Sequence, residues 1–487
     1  MARALDKIDS TDRVEAPRDA VSGLPEPGQP WRYDLLRIPL LRAMLRHRAF
    51  QFVLMAVNLF FFMLVILTGL LGTAVGNRNF SIIFVWIVWW ALLIMLLIPL
   101  TARVWCTTCP IPAVGEWAQR GSFIFRRAGP LLGLKLQWPS ALRNIWLQNF
   151  AFVGVAMFSA VILTLPAATG WLLAGFILIA LGLSFVYQRR VFCRYVCPVG
   201  GFIGLYSMVA PLEVRVKDPE VCLGHCGKQC ARGSEKGYGC PWMEYPGTLE
   251  RNAYCGMCTE CIKVCPTGNI ALNLRPFGAD LLAPVRHLDE SYKGFIMLAA
   301  ALVYSTVMLG PWGWIKSYAN LGSGDLSHYL LYVTGLLSMT LIVGPALFLL
   351  AAGVAKLLAG PSKVSLKELF VGFGYTTVPM GLMGWVAFSF SFVLVSGSYV
   401  LPVISDPFGW GWNLFGTAHI PWTPIVPQIL PYLQVPTLLA GLVFSILLGD
   451  HIAREKFETH AQARRAVIPV AVLLTGVTLL FMWLYMG

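Results

Sequence analysis

The sequence predicts a mainly α fold: a polytopic membrane helical bundle of about nine transmembrane helices with one polar, cysteine-rich domain inserted after the fourth. Three observations carry this. Hydrophobic residues make up 57% of the 487-residue chain and charged residues only 13%, far from the composition of a soluble globular protein. Apolar stretches recur at about the 20 residues that cross a bilayer core. The 12 cysteines all fall between Cys106 and Cys265, so they read as ligands rather than scattered core filler.

Taken in order, residues 1–48 form a charged, Pro-rich tail followed by a basic segment. From Leu35 to Phe50, apolar residues alternate with Arg37, Arg42, Arg46 and Arg48. This segment reads either as a helix lying on the membrane or as a positive flank of the first span. No apolar core of a cleavable signal peptide precedes that span. Spans are expected at 50–75, 80–104, 145–166 and 168–188, within a region of four helices over 49–216. The polar insertion covers 217–293, and five further spans near 294–312, 328–355, 368–400, 430–449 and 466–486 fill 294–487.

The loops set the expected orientation. One side carries only Arg78 and Lys316, while the other holds most of a formal net charge of +13. The positive-inside rule then places the N-terminus and the insertion in the cytoplasm and the C-terminus outside, in a multi-pass protein of the bacterial inner membrane. The basic charge is thereby explained by topology, and no nucleic acid is expected as a partner.

The insertion contains Cys255-Gly-Met-Cys258-Thr-Glu-Cys261-Ile-Lys-Val-Cys265-Pro266. Its spacing, C-x2-C-x2-C-x3-C-P, is the bacterial ferredoxin signature, whose fourth Cys serves a second [4Fe–4S] cluster. Upstream, Cys222, Cys226, Cys230 and the Cys240-Pro241 pair supply the remaining thiols. Crossed pairing assigns Cys255, Cys258, Cys261 and Cys240 to one cluster, and Cys222, Cys226, Cys230 and Cys265 to the other. The insertion therefore reads as a cytoplasmic two-cluster ferredoxin-like domain. Zinc takes four Cys but leaves the two C-P endings unexplained, and a reducing compartment disfavours disulfides. His225 lies within the second ligand loop and reads as a neighbour of the cluster rather than a ligand.

An internal repeat precedes the insertion. The second span ends Arg103-Val-Trp-Cys106-Thr-Thr-Cys109-Pro110, and the fourth ends Arg190-Val-Phe-Cys193-Arg-Tyr-Val-Cys197-Pro198. Three readings stay open for Cys106, Cys109, Cys193 and Cys197: a third metal or iron–sulfur centre, redox-active dithiols, or helix ends that merely contain Cys.

Paired hairpins ending in C-x2-3-C-P, followed by two-cluster cysteine spacing, resemble the membrane-bound polyferredoxins, the quinol dehydrogenase membrane components of the NapH/NosR type. The resemblance covers about residues 50–275. It implies an electron-transfer subunit of an oxidoreductase, quinol dehydrogenase-like, rather than a stand-alone catalyst. The chain departs from the family in its first pair, C-x2-C-P where the family usually has C-x3-C-P. No flavin-binding domain of the NosR branch is read, and five further helices follow the clusters.

Few polar residues mark the C-terminal half. His328 and His419 near the outer face are isolated, so haem is not expected. Trp312, Trp314, Asp406, Trp410, Trp412 and Trp422 read as an interfacial aromatic belt, with a quinone pocket or docking surface as the alternative. Tyr375, Pro379, Gly381 and Gly384 mark a kinked, closely packed seventh span. No acid–base or nucleophile constellation accompanies the clusters, and bond chemistry is left to a partner. The expected function is a membrane-bound iron–sulfur electron-transfer subunit linking the quinone pool or a cytoplasmic donor to a redox partner: a cytochrome, a ferredoxin or a respiratory oxidoreductase. The alternative is an assembly or metal-reducing maturation factor for a respiratory metalloenzyme.

Overall fold

A computed structural model describes residues 31–124, 132–224, 227–309, 313–323 and 325–486. The tail before residue 31, His225, Cys226, Trp312 and Gly487 lie outside the described residues. In chain order the elements that position the site are β1 (Tyr33–Asp34), α1 (Pro39–Arg46), α2 (Arg48–Leu71), α3 (Phe80–Thr101), α4 (Ala113–Arg120), α5 (Trp146–Met157), α6 (Ser159–Thr164), α7 (Pro166–Val186), α8 (Pro198–Tyr206), β2 (Leu212–Val216) and β3 (Ile270–Leu274). They are followed by α9 (Leu288–Met308), α10 (Leu326–Ala359), α11 (Leu366–Ser405), α12 (Pro427–Lys456) and α13 (His460–Met486).

Among the described residues, eight helices are long and apolar enough to cross a membrane: α2, α3, α7 and α9 to α13. The span expected at 145–166 is instead two helices, α5 and α6, parted at Phe158 (φ −100°, ψ 10°). At a rise of about 1.5 Å per residue, neither piece crosses a bilayer core alone. The backbone carbonyls at the break are met by α10: Tyr332 donates to Ala156 (3.4 Å) and Tyr329 to Met157 (3.3 Å). Such partners are what permit a helix to break among apolar neighbours.

Helices α9 and α11 are the innermost, with most of their apolar length covered by neighbours, while α2, α7, α10, α12 and α13 turn most of theirs outward. α9 starts six residues earlier than the apolar run suggests. This draws Glu290 and Lys293 inside the bundle, where both are buried.

The cysteine-rich segment is backed by a three-stranded antiparallel sheet of order β1-β3-β2. Tyr33 pairs with Leu274 on one side of β3, and Leu212 to Val216 pair with Leu274 to Ile270 on the other. Two of the three strands thus come from outside 217–293. The amphipathic α1, read above as lying on the membrane or flanking a span, seats Leu41 and Leu45 on the small core of Val214, Met257, Ile262, Val264, Ile270 and Leu272. Leu40 and Met44 of the same helix stay exposed (71% and 37%).

Candidate functional site

The internal repeat is visible in the backbone. Ala102 and Arg189, equivalent residues just before the two motifs, both have positive φ (58° and 59°). That turn directs each following arginine across to the other motif. Arg190 donates to the Cys106 carbonyl (3.0 Å), and Arg103 donates to the Gly200 carbonyl (2.9 Å). Arg190 is also paired with Glu116 of α4 (Nε–Oε2 2.8 Å), which takes Arg120 as well. Burial alone would raise the Glu116 carboxyl, but the two guanidiniums hold it below the usual carboxylate range.

Within each motif the chain turns at Pro. Pro198 opens α8, and the Gly200 N–H donates to the Cys197 sulfur (3.2 Å). Cys193 rides on a widened π turn over Phe192–Val196. The four thiols of the repeat then line one cavity of about 260 Å³. Its walls are aromatic, with Trp86, Trp89, Trp90, Trp105, Trp385 and Phe388 among them, and among the described residues no Asp, Glu, Lys or Arg lines it. Two π turns in α3, Ile83–Trp89 and Leu93–Leu97, turn the tryptophans of that helix toward this space. Burial pushes the Cys197 thiol up to about 11 and Cys109 and Cys193 further above their ordinary value. Without a metal these thiols stay protonated at neutral pH, and ligation would release their protons.

The ferredoxin-spaced loop is tight because Met257 (φ 53°) and Thr259 (φ 60°) are left-handed. The Met257 N–H donates to the Cys255 sulfur (3.4 Å). Gly256 is obligatory here, since a Cβ would lie 1.9 Å from the indole nitrogen of the buried Trp242. Cys240, Cys255, Cys258 and Cys261 stand within electrostatic reach of one another. Burial, reinforced by these neighbours, pushes Cys240 and Cys255 up to about 11 and Cys258 to about 12.

Of the other four cysteines, Cys222, Cys230 and Cys265 are among the described residues. Asn269 joins two of them, its side-chain amide donating to the Cys222 sulfur (3.2 Å) and its backbone N–H to the Cys265 sulfur (3.3 Å). Cys230 is tied to the first set through its carbonyl, which accepts from the Cys240 N–H (2.8 Å). Among the described residues, no three His, Cys, Asp or Glu side chains converge as a closed metal-ligand group. The donor chemistry still suits iron–sulfur clusters: soft thiols, several of them accepting N–H bonds of the kind that tune such centres.

The repeat and the ferredoxin-spaced loops are in contact. The Thr107 hydroxyl donates to the Gly256 carbonyl (2.8 Å), the Arg190 N–H to the Pro241 carbonyl (3.1 Å), and Arg194 to the Tyr254 carbonyl (3.3 Å). A buried polar knot fastens the insertion to the bundle. Arg251 pairs with Glu290 of α9 (2.6 Å), and Tyr254 and Tyr375 both donate to that carboxylate. Tyr375 thus has a definite task beyond helix packing.

Several of these residues escape a reading of the sequence. Asn269 and Tyr254 carry no motif, nor does Gln148, whose side-chain amide donates to the Cys193 and Arg194 carbonyls (3.2 and 3.0 Å); the only mark of Glu290 and Lys293 is charge at the edge of an apolar run. Elsewhere, His328 pairs with Asp325 (2.5 Å) and stacks on Tyr318. Asp406 accepts the Trp410 and Gly411 backbone N–H groups (3.0 and 2.7 Å), holding the aromatic outer loop in a turn.

Comparison with known proteins gives two likenesses. Residues 82–129 and 168–213 match the family described as "4Fe-4S binding domain". The matched segments contain Cys106, Cys109, Cys193 and Cys197 and end before the eight ferredoxin-spaced cysteines. An Escherichia coli (strain K12) protein named "Putative electron transport protein YccM" is 31% identical over 86 residues, 17% of this chain and 22% of that protein. The chain therefore spans about a fifth of the length of the curated relative it matches. No solved structure matches. Together these likenesses support an iron–sulfur electron-transfer family.

Proposed function

We propose that this protein is a membrane-bound iron–sulfur electron-transfer subunit that links the quinone pool to a partner redox protein. The observation that carries this is the aromatic cavity lined by all four thiols of the repeat, which abuts the Cys255 loop through the Thr107–Gly256 contact. At about 260 Å³ it exceeds the roughly 150 Å³ of a dry apolar cavity that takes up benzene. Away from the thiols the wall is apolar and aromatic, which suits a neutral, lipid-soluble ring beside the centre they hold.

In this reading Cys240, Cys255, Cys258 and Cys261 hold one [4Fe–4S] cluster, and Cys222, Cys226, Cys230 and Cys265 hold another. Cys106, Cys109, Cys193 and Cys197 hold a third centre at the membrane surface. Such clusters, when bound, accept and release single electrons. The chain's own residues supply the rest. Trp89, Trp105 and Trp385 exclude water from the quinone head group, and the Gly200, Met257 and Asn269 N–H groups stabilise sulfur in its charged form. Thr107 and Arg190 hold the repeat against the Gly256 and Pro241 carbonyls, keeping the centres in fixed relation. The positive-inside distribution supports clusters on the cytoplasmic face of the bacterial inner membrane. The partner would be a cytochrome, a ferredoxin or a respiratory oxidoreductase.

Cys193→Ser tests this directly. The expected result is loss of a third redox signal and slower quinol-linked turnover, with both ferredoxin-type signals retained. If metal content and turnover stay as they were, the repeat is architecture and the reading fails. Alkylation of these thiols after reduction, with no metal lost, would instead mark them as a dithiol pair.

A further inference from the structure

Two buried cations beside the repeat have no acid of their own. Lys293 of α9 is 0% exposed. Its ammonium lies 3.3 Å from the Gln148 carbonyl and 4.9 Å from the Phe152 ring centroid. Arg103 is 2% exposed; it donates to the Gly200 and Ala253 carbonyls and covers the Trp242 ring at 4.2 Å, and its Nε has no partner. Among the described residues neither has a carboxylate within 4.0 Å. The acids nearby are engaged elsewhere. Glu290 is held by Arg251, and Asp289, one turn before Lys293, accepts the Ile145 N–H (3.0 Å).

Both cations press on one face of α8. A Cβ at Gly201 would lie 3.1 Å from the Lys293 ammonium, and one at Gly204 would lie 2.7 Å from the Arg103 guanidinium. Cys197 caps this helix and is within electrostatic reach of both cations.

The repeat explains why Arg103 is unpaired. The sixth residue after Pro110 is Glu116, which neutralises the equivalent Arg190. The sixth residue after Pro198 is Gly204, and Arg103 occupies the space where a side chain would be. One half of the repeat carries its own counter-charge; the other has exchanged it for room.

An unpaired cation is costly to bury unless an anion shares the site, and a charged residue within a membrane span marks function. The neighbours able to become anionic are thiols: Cys197 of the repeat lies within reach of both cations, while Arg103 also reaches Cys255, so Lys293 is the cation committed to the repeat. A neutral dithiol pair supplies no charge, whereas an oxidised cubane on four thiolates is a dianion. We infer that Lys293 and Arg103 are the counter-charges of an anionic centre on Cys106, Cys109, Cys193 and Cys197, and that Lys293 sets its reduction potential. This rests on the third centre proposed above. Reduction adds one electron, from a quinol or from dithionite in the test, and breaks no bond. A fixed positive charge favours the more negative product, so Lys293 raises the midpoint potential.

The test is an EPR-monitored redox titration of the full chain in detergent, with Lys293→Met, Lys293→Gln and Lys293→Arg. The expected result is a lower midpoint for the third signal in the Met and Gln variants, a value near wild type for Arg, and unmoved ferredoxin-type signals. Loss of the third signal in Met and Gln but not in Arg would support the same role, the charge then being needed to hold the centre. An unchanged midpoint, an equal shift in all three variants, or loss in all three would overturn it. A wild-type protein with no third signal would overturn the three-centre reading instead.

Discussion

Asn269 donates its side-chain amide to the Cys222 sulfur at 3.2 Å while its own backbone N–H meets Cys265 at 3.3 Å. Two cysteines 43 positions apart in the chain thereby share one donor residue, as crossed ligation requires of the thiol that follows the Cys255–Cys261 loop. Cys265→Ala should abolish the cluster assigned to Cys222, Cys226 and Cys230 and spare its neighbour. Asn269→Leu should keep that cluster but lower its midpoint, since a lost N–H donor disfavours the more reduced sulfur-rich state. EPR of each variant checks both, and loss of the other cluster's signal in Cys265→Ala would refute the crossed assignment.

Iron and acid-labile sulfide should reach at least about eight of each per chain after reconstitution, and about twelve if the repeat holds a third cubane. Fewer than about eight would count against two clusters.

Glu116→Gln should destabilise the protein strongly, by about 3–5 kcal/mol, because it strands Arg190 as a buried cation. Adding Arg190→Met to it should restore part of the loss. Thermal unfolding in detergent measures both, and a neutral single variant would show that Arg190 draws its compensation elsewhere.

Gly256→Ala should lower iron occupancy at the Cys255 loop, because the new methyl group meets the Trp242 ring and overpacking of this kind costs about 1–3 kcal/mol. Trp242→Ala combined with it should relieve the clash. Iron analysis of the single and double variants decides whether the collision is the cause.

A topology reporter joined after Arg275 should be active in its cytoplasmic form. Activity only outside would reverse the orientation argued from the loop charges and remove the reducing-compartment case for metal ligands.

The sequence by itself determined the helical membrane character, the cysteine spacing and the repeat. These are local properties, set by runs of apolar residues and by intervals of two or three between thiols, which no distant contact can alter. The tertiary structure decided the rest. Residues 145–166 read as one apolar span, and only the folded chain shows the break at Phe158 and the Tyr329 and Tyr332 hydroxyls of α10 that meet its carbonyls. β1 and β2 lie outside the insertion, and their shared partner β3 brings them to it through pairing across more than 50 residues. The four repeat thiols are equivalent in sequence, but a common cavity comes only from folding α2, α3, α5 to α9 and α11 together. Lys293 lies one residue before the apolar run that the sequence reads as the fifth span. Its burial without an acid follows from how α9 packs against α5 and α8, and a charge's cost depends on what surrounds it in space.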